Sequence, residues 1–471
     1  MSAATKAIAA HGLARRAFSL GAVKALDNAL QFLLPIVLVR CLDQATFGEY
    51  RLLWLAVGTL IGIATLNMAG TLYFFLPRSE PEKKRLYVHQ TMLFLGLAGV
   101  LCGLLVALFG PLEKYGVLVP AFVAVWFAAV LLEYLPTIDE RIGWQAVATM
   151  SVSLVRVVLL AAGAWLTGDM KVMLWLLIAA AFLKLGLLLF YVRRYHGLGR
   201  PWFDREVFSG QFRHSAPIGL SAALYTLRGQ TDQWVAATLF SLHSFAAFSV
   251  AAILGQVVNL FRTSVIEAFM PSMSRLHASG EVGGVMDMNA KANVLVAGLL
   301  YPLLGFVFVY APDVVTVVYT ASYLEAVPVM RIYALGMGLL AVEIGSLLLL
   351  LRQGPYAIAV NGIALALSAV ASLAGALYFG LAGAAIGSIS ALFFDRAMTL
   401  RRIARTAGIP LSRVQDWRGL ARTALVAAVG SLLAWSVTHV FFANAAPIAR
   451  LAAGAVVLAV VYALFILRSR R

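Results

Sequence analysis

Runs of about twenty apolar residues, separated by short connectors, recur from one end of the chain to the other, and few folds accept such a pattern. In lipid every backbone polar group needs an internal partner, so runs of this length span a bilayer as helices. Of the 471 residues, 62% are hydrophobic and only 12% are charged, which excludes an ordinary soluble core. The runs fall at 17–40, 52–76, 88–109, 117–135, 146–167 and 172–192, then at 214–240, 245–270, 292–310, 326–351, 356–379 and 381–400. Two more, 420–442 and 448–467, bring the expected total to about fourteen transmembrane helices in an all-α integral membrane protein. The run at 326–351 is interrupted by Pro328 and Arg331, where a break is expected.

The first run is not uniformly apolar. Lys24, Asp27, Asn28 and Gln31 recur at helical spacing and share one face, while Leu, Val, Ile, Phe and Ala fill the rest of the cylinder. A charge at the bilayer centre costs about 2.5 to 3.5 kcal/mol on insertion scales, so this face must look into a protein-lined interior. The stretch also exceeds a signal-peptide core and is followed by no small-residue cleavage pattern, so it reads as an uncleaved first span.

The formal charge of +16 is accounted for by topology. With the N-terminus inside, about 26 Lys and Arg fall in inside segments and about six in outside loops, the positive-inside signature. Both termini are therefore expected in the cytoplasm, and no nucleic-acid partner is implied. Basic connectors at 193–213 and 401–418 divide the chain into a six-helix lobe over 1–200, a second over 201–400 and a helix pair over 401–471. Sliding the first block by 198 positions lays Arg15 on Arg213, Gly21 on Gly219 and Phe47 on Phe245, but these identities are few. The shared layout, a polar-striped helix followed by a very short outside turn and a second long span in each block of six, is what suggests a duplicated transporter with a cavity between its halves.

Other runs repeat the polar stripe. Ser221, Tyr225, Arg228 and Asp232 share a face of the seventh, where Arg228 and Asp232 stand at pairing distance along a helix. Gln256, Asn259, Thr263 and Glu267 share a face of the eighth, with Arg262 beside them. The fifth carries Ser153 and Arg156, and the tenth Glu343. Asn and Ser at such positions also serve as interhelical glue, and Lys184 is near enough to Arg193 to snorkel to the surface. Convergence of Lys24, Arg156, Arg228 and Arg262 on one interior favours an anionic ligand, because guanidinium offers a fixed fork of donors to phosphate oxygens. Asp27, Asp232, Glu267 and Glu343 are candidates for a coupling proton or sodium ion.

No Gly-rich loop ends in Gly-Lys-Ser or Gly-Lys-Thr, the histidines form no metal-ligand spacing, and no outside loop is long enough for a catalytic domain. Neither catalytic residues, a metal nor a cofactor is expected. Cys41 and Cys102 fit neither a zinc site nor a disulfide framework.

The segment from Arg15 to Pro77 carries a resemblance. Its striped first helix, the turn Leu42-Asp43-Gln44-Ala45-Thr46-Phe47-Gly48-Glu49-Tyr50 and the ending Tyr73-Phe74-Phe75-Leu76-Pro77 resemble the start of bacterial polysaccharide transporters. These are the O-antigen and exopolysaccharide flippases of the multidrug/oligosaccharidyl-lipid/polysaccharide exporter superfamily. The resemblance implies alternating access that carries an undecaprenyl-pyrophosphate-linked oligosaccharide across the inner membrane, with Lys24 and Arg262 on the family's basic positions. It also implies membrane lipid around the bundle, and a polysaccharide polymerase and glycosyltransferases as pathway partners. Asn28, Gln31, Tyr225 and Asn259 would meet sugar hydroxyls. The lipid II flippase branch shares the extra helix pair but has a denser arginine pattern in its first helix. The intramembrane carboxylates keep a cation-coupled multidrug exporter as an alternative, and a membrane glycan polymerase or ligase would need a sizeable outside loop.

Overall fold

The computed structural model describes residues 26–110 and 112–469, and the described residues form helices and connectors with no strand. Helix α1 is described over 26–41, and after two residues α2 (Gln44–Ala64) begins. The stretch read as a turn from Leu42 to Tyr50 is thus mostly helix. Asp43 is the reason: its carboxylate accepts from Thr46 N at 3.0 Å and from the Thr46 hydroxyl at 2.6 Å, a side-chain N-cap. The hydroxyl bond, more than any other influence, holds the Asp43 carboxyl below its usual range.

Helices α3 (Met68–Phe75), α4 (Pro81–Phe109), α5 (Leu118–Ala128), α6 (Leu135–Ile138), α7 (Ile142–Thr167) and α8 (Met170–Tyr195) follow. Then come α9 (Arg205–Leu239), α10 (Leu242–Ala278), α11 (Val282–Val309), α12 (Ala311–Tyr319), α13 (Ala326–Met337) and α14 (Gly345–Leu350). The long α15 (Gly354–Ala407), α16 (Trp417–Phe441) and α17 (Pro447–Ser469) complete the chain. Among the described residues ten helices are long and apolar enough to cross a membrane, and the pair 118–128 and 130–138, bent by 42°, makes up to eleven. Their outward faces carry exposed Leu101, Leu105, Phe109, Trp165 and Phe379, side chains suited to acyl chains.

Helix α15 cannot be one crossing: 54 residues at about 1.5 Å each would extend over twice the apolar thickness. It is a helical hairpin that reverses at Gly380, with φ 66° and ψ −152°, a region open essentially to glycine alone. A Cβ on Gly387 would lie 2.0 Å from Ser372 N, so the arms 354–379 and 381–407 pack backbone to backbone. Farther from the turn, the Tyr356 hydroxyl donates to Met398 O at 3.0 Å and Arg402 Nε to Gln353 Oε1 at 2.8 Å.

The chain divides into two compact units, ending and beginning at Thr226 and Leu227, within α9. In the first, Leu72, Leu76, Val88, Leu131, Leu188 and Tyr191 form the core. A buried amide–hydroxyl cluster lies there: Gln90 Nε2 donates to Gln211 Oε1 at 2.7 Å, and Gln211 Nε2 donates to Thr71 and Thr91 hydroxyls at 3.1 and 3.0 Å. Residues 66 and 67 interrupt α2 and α3 with φ of 44° and 55°, and the Ser215 hydroxyl donates to the freed Leu66 carbonyl. In the second unit the final helix pair docks on α11 and α12. Tyr310 joins Ala434 and Leu458 in one cluster and shares a 2.8 Å hydrogen bond with Thr438, while Arg450 pairs with Asp313.

Candidate functional site

In the second unit, α9, α10, the break before α14 and the second arm of α15 bring charges together. Arg228 Nη1 lies 3.2 Å from Asp395 Oδ2, and Arg396 Nη1 lies 3.4 Å from the same oxygen. Arg262 and Glu343 are close enough to act electrostatically on Arg396. Asp395 and Arg396 are 7% and 8% exposed, so both sit inside the unit. Two guanidiniums thus share one carboxylate, with Arg262 and Glu343 nearby, and the Nε atoms of Arg262 and Arg396 are buried without a hydrogen-bond partner. Neither Asp395 nor Arg396 was singled out in the sequence; an Asp-Arg pair inside the apolar run 381–400 is the signal that marks them.

The expected pairing of Arg228 with Asp232 along α9 does not occur. Asp232, 3% exposed, instead accepts from the Tyr333 hydroxyl at 2.6 Å and from Gln233 N at 2.8 Å. Partners from other helices win: α13 brings the Tyr333 hydroxyl as a donor to Asp232, and α15 brings the Asp395 carboxylate as an acceptor to Arg228, which helical spacing cannot reveal. Along α10, Arg262 Nη2 donates to Asn259 Oδ1 at 3.1 Å, and Glu267 stands exposed farther on. Tyr225, in the first unit, is 50% exposed.

Glu343 has its oxygens committed to backbone. Oε1 accepts from Gly345 N at 2.7 Å, and Oε2 accepts from Ser346 N at 3.2 Å, which caps the start of α14. Asn293 Oδ1 takes the Glu343 N–H at 3.1 Å, and the Asn289 and Asn293 amides each donate to Glu343 O at 3.3 Å. The break in the tenth run lies here, at 338–344, rather than at Pro328 and Arg331. Pro328 falls in the first turn of α13, where no intrahelical N–H bond is lost. Arg331 Nε donates to Phe308 O at 3.1 Å.

In the first unit Lys24 lies outside the described residues. Asp27 accepts from Gln31 Nε2 at 2.9 Å and from the Ser153 hydroxyl, which ties α1 to α7. Asn28 is half-buried beside them. Arg156 stands over the rings of Trp54 and Trp126 at 5.3 and 5.8 Å, a cation held on aromatic faces. Lys184 does not snorkel: it is 3% exposed, pairs with Glu133 at 2.5 Å and lies 4.2 Å from the Trp126 ring centre.

Two cavities differ in chemistry. One, of about 620 Å³ in the first unit, is bordered by Lys84, Arg85 and Arg141 but equally by Glu82, Asp139 and Glu140. The Asp139 carboxyl there is lowered: burial raises it, and bonds from His196 and Tyr191 more than offset that. The other, about 650 Å³ in the second unit, is almost wholly apolar, with Leu304, Phe308, Leu335, Phe393, Ala424 and Leu432 on its walls. Among the described residues no group of His, Cys, Asp and Glu is arranged to hold a metal ion.

A family model described as polysaccharide biosynthesis protein matches residues 13–277. No curated protein matches the chain by sequence. Among solved structures, the lipid II flippase MurJ in an inward closed conformation is similar, with 13% identity, a TM-score of 0.67, and coverage of 95% of this chain and 100% of MurJ. An inward-facing multidrug resistance MATE family transporter of the MOP superfamily has 13% identity, a TM-score of 0.62 and coverage of 80% and 95%. A mutant MATE transporter from Vibrio cholerae has 13% identity, a TM-score of 0.56 and coverage of 84% and 98%. These neighbours are transporters, not enzymes, and at such identity they establish a shared fold.

Proposed function

The chain belongs to the polysaccharide biosynthesis protein family, and on that premise we propose that it is a flippase for an undecaprenyl-pyrophosphate-linked oligosaccharide, the repeat unit of a surface or exopolysaccharide. It would work by alternating access in the bacterial inner membrane, with both termini cytoplasmic and with two six-helix lobes followed by a helix pair. The observation that carries this reading is the cationic excess of the second unit. Arg228 and Arg396 share the single carboxylate of Asp395, Arg262 lies close enough to Arg396 to act on it, and the nearby Glu343 carboxylate is already engaged by backbone N–H groups. A doubly charged pyrophosphate is the ligand such a set of guanidiniums favours.

The apolar cavity walled by Leu304, Phe308 and Ala424 supports the same reading, since a polyprenyl tail needs a surface of that kind. Arg156, Asn28, Gln31, Tyr225 and Asn259 would contribute field and sugar contacts. Asp27, Asp232 and Glu267 remain the candidates for a coupling proton or sodium ion, whereas Glu343 is better suited to its cap. Likeness to MurJ over 95% of the chain favours lipid II as the second substrate to test. A cation-coupled exporter is less well matched, because three of its four candidate carboxylates, Asp27, Asp232 and Glu343, already have internal donors.

Single replacements of Lys24, Arg156, Arg228 and Arg262 by Gln should abolish surface-glycan assembly at normal protein levels in the membrane. Unchanged glycan in all four would end the assignment. Arrest of peptidoglycan synthesis with glycan intact would transfer it to lipid II.

A further inference from the structure

Asp395 is the carboxylate that two guanidiniums of the candidate site share. It is 7% exposed, sits at the centre of a cationic group, and a single oxygen, Oδ2, lies 3.2 Å from Arg228 and 3.4 Å from Arg396. It brings one negative charge to two guanidiniums, and Arg396, like Arg262 nearby, keeps a buried Nε–H with no acceptor. The cluster is therefore both under-neutralised and under-bonded, a state that a larger anion with more acceptor oxygens would relieve. An approach exists on α10, where Thr263, Ser264 and Glu267 are exposed next to the half-buried Arg262.

We propose that Asp395 is an internal counter-anion: without substrate it holds the Arg228 and Arg396 guanidiniums, and it yields them to the pyrophosphate when substrate binds. The proposal rests on the flippase reading and deepens it by naming the residue that sets affinity at this site. A carboxylate of one charge competes weakly enough to be displaced by a diphosphate, and its return favours release. Asp395 is thus a positioning residue that keeps the cationic group assembled and empties it after transport.

The test uses the full chain in detergent with farnesyl pyrophosphate as a soluble probe. If Asp395 holds the arginines in nine molecules of ten, Asp395→Asn should tighten probe binding about tenfold while slowing glycan export. Arg228→Gln and Arg396→Gln should lose the probe. A folded Asp395→Asn protein with unchanged or weaker binding, alongside loss of the probe in Arg228→Gln, overturns the counter-anion and leaves the flippase reading standing. Equal binding by wild type and Arg228→Gln overturns both. Should Asp395→Asn fail to fold, the wild-type protein still answers. Labelling of Asp395 by a hydrophobic carbodiimide should rise severalfold when the probe is added, and unchanged labelling refutes its displacement.

Discussion

At the scale of single residues, the charges inside this bundle divide into those that serve the backbone and those that do not. Glu343 belongs to the first group, because its carboxylate supplies acceptors for Gly345 N and Ser346 N. Glu343→Ala should therefore lower stability by about 1–3 kcal/mol, the cost of buried donors left unpaired, and Glu343→Gln, which keeps one acceptor oxygen, should cost less. Thermal unfolding in detergent measures both, and an Ala variant as stable as the wild type would remove the cap. The sequence marked Glu343 as a charge inside an apolar run, which was correct as a location. It gave no hint that the helix stops at 337 and restarts at 345, since the Asn289 and Asn293 amides that make the break tolerable come from α11. The pairing of Arg228 with Asp395 is hidden for the same reason: the contact joins positions 228 and 395, and no local spacing encodes that.

At the scale of elements, most of the helices were legible as apolar runs, and what the runs concealed was geometry at their ends and middles. Asp43 starts α2 well ahead of the expected 52 because a side-chain cap outweighs the polarity of Glu49, which is itself neutralised by Lys114 and bonded by Tyr115. The runs 356–379 and 381–400 were separated at the correct residue, yet nothing in their composition showed arms touching backbone to backbone. Gly387→Leu should split those arms, since even a Cβ would sit 2.0 Å from Ser372 N. Gly380→Ala should cost about 1–3 kcal/mol through its backbone conformation alone. Melting temperatures should fall in both variants, further for Gly387→Leu. Equal melting of Gly387→Leu and wild type would show that the arms do not meet there.

At the scale of the whole molecule, an all-helical membrane fold shared with a flippase and MATE transporters holds both a cationic cluster and an apolar cavity in the second unit. If the cavity takes a polyprenyl chain, bulk on its wall should hinder transport without unfolding the protein. Ala424→Trp should cut surface glycan severalfold while leaving melting and pyrophosphate-probe binding near wild type. Full glycan production by that variant would remove the cavity from the pathway.

The reversal at Gly380 also fixes parity. Because the two arms of α15 meet with no connector between them, the chain leaves the hairpin on the side where it entered, and the Arg402–Gln353 bond pins entry and exit together. Arg352, Arg401, Arg402 and Arg405 are thereby gathered at one bilayer surface whatever the orientation of the rest. A reporter fused after 353 and another after 408 must report the same compartment, while the aromatic tip at Tyr378 and Phe379 answers from the opposite one.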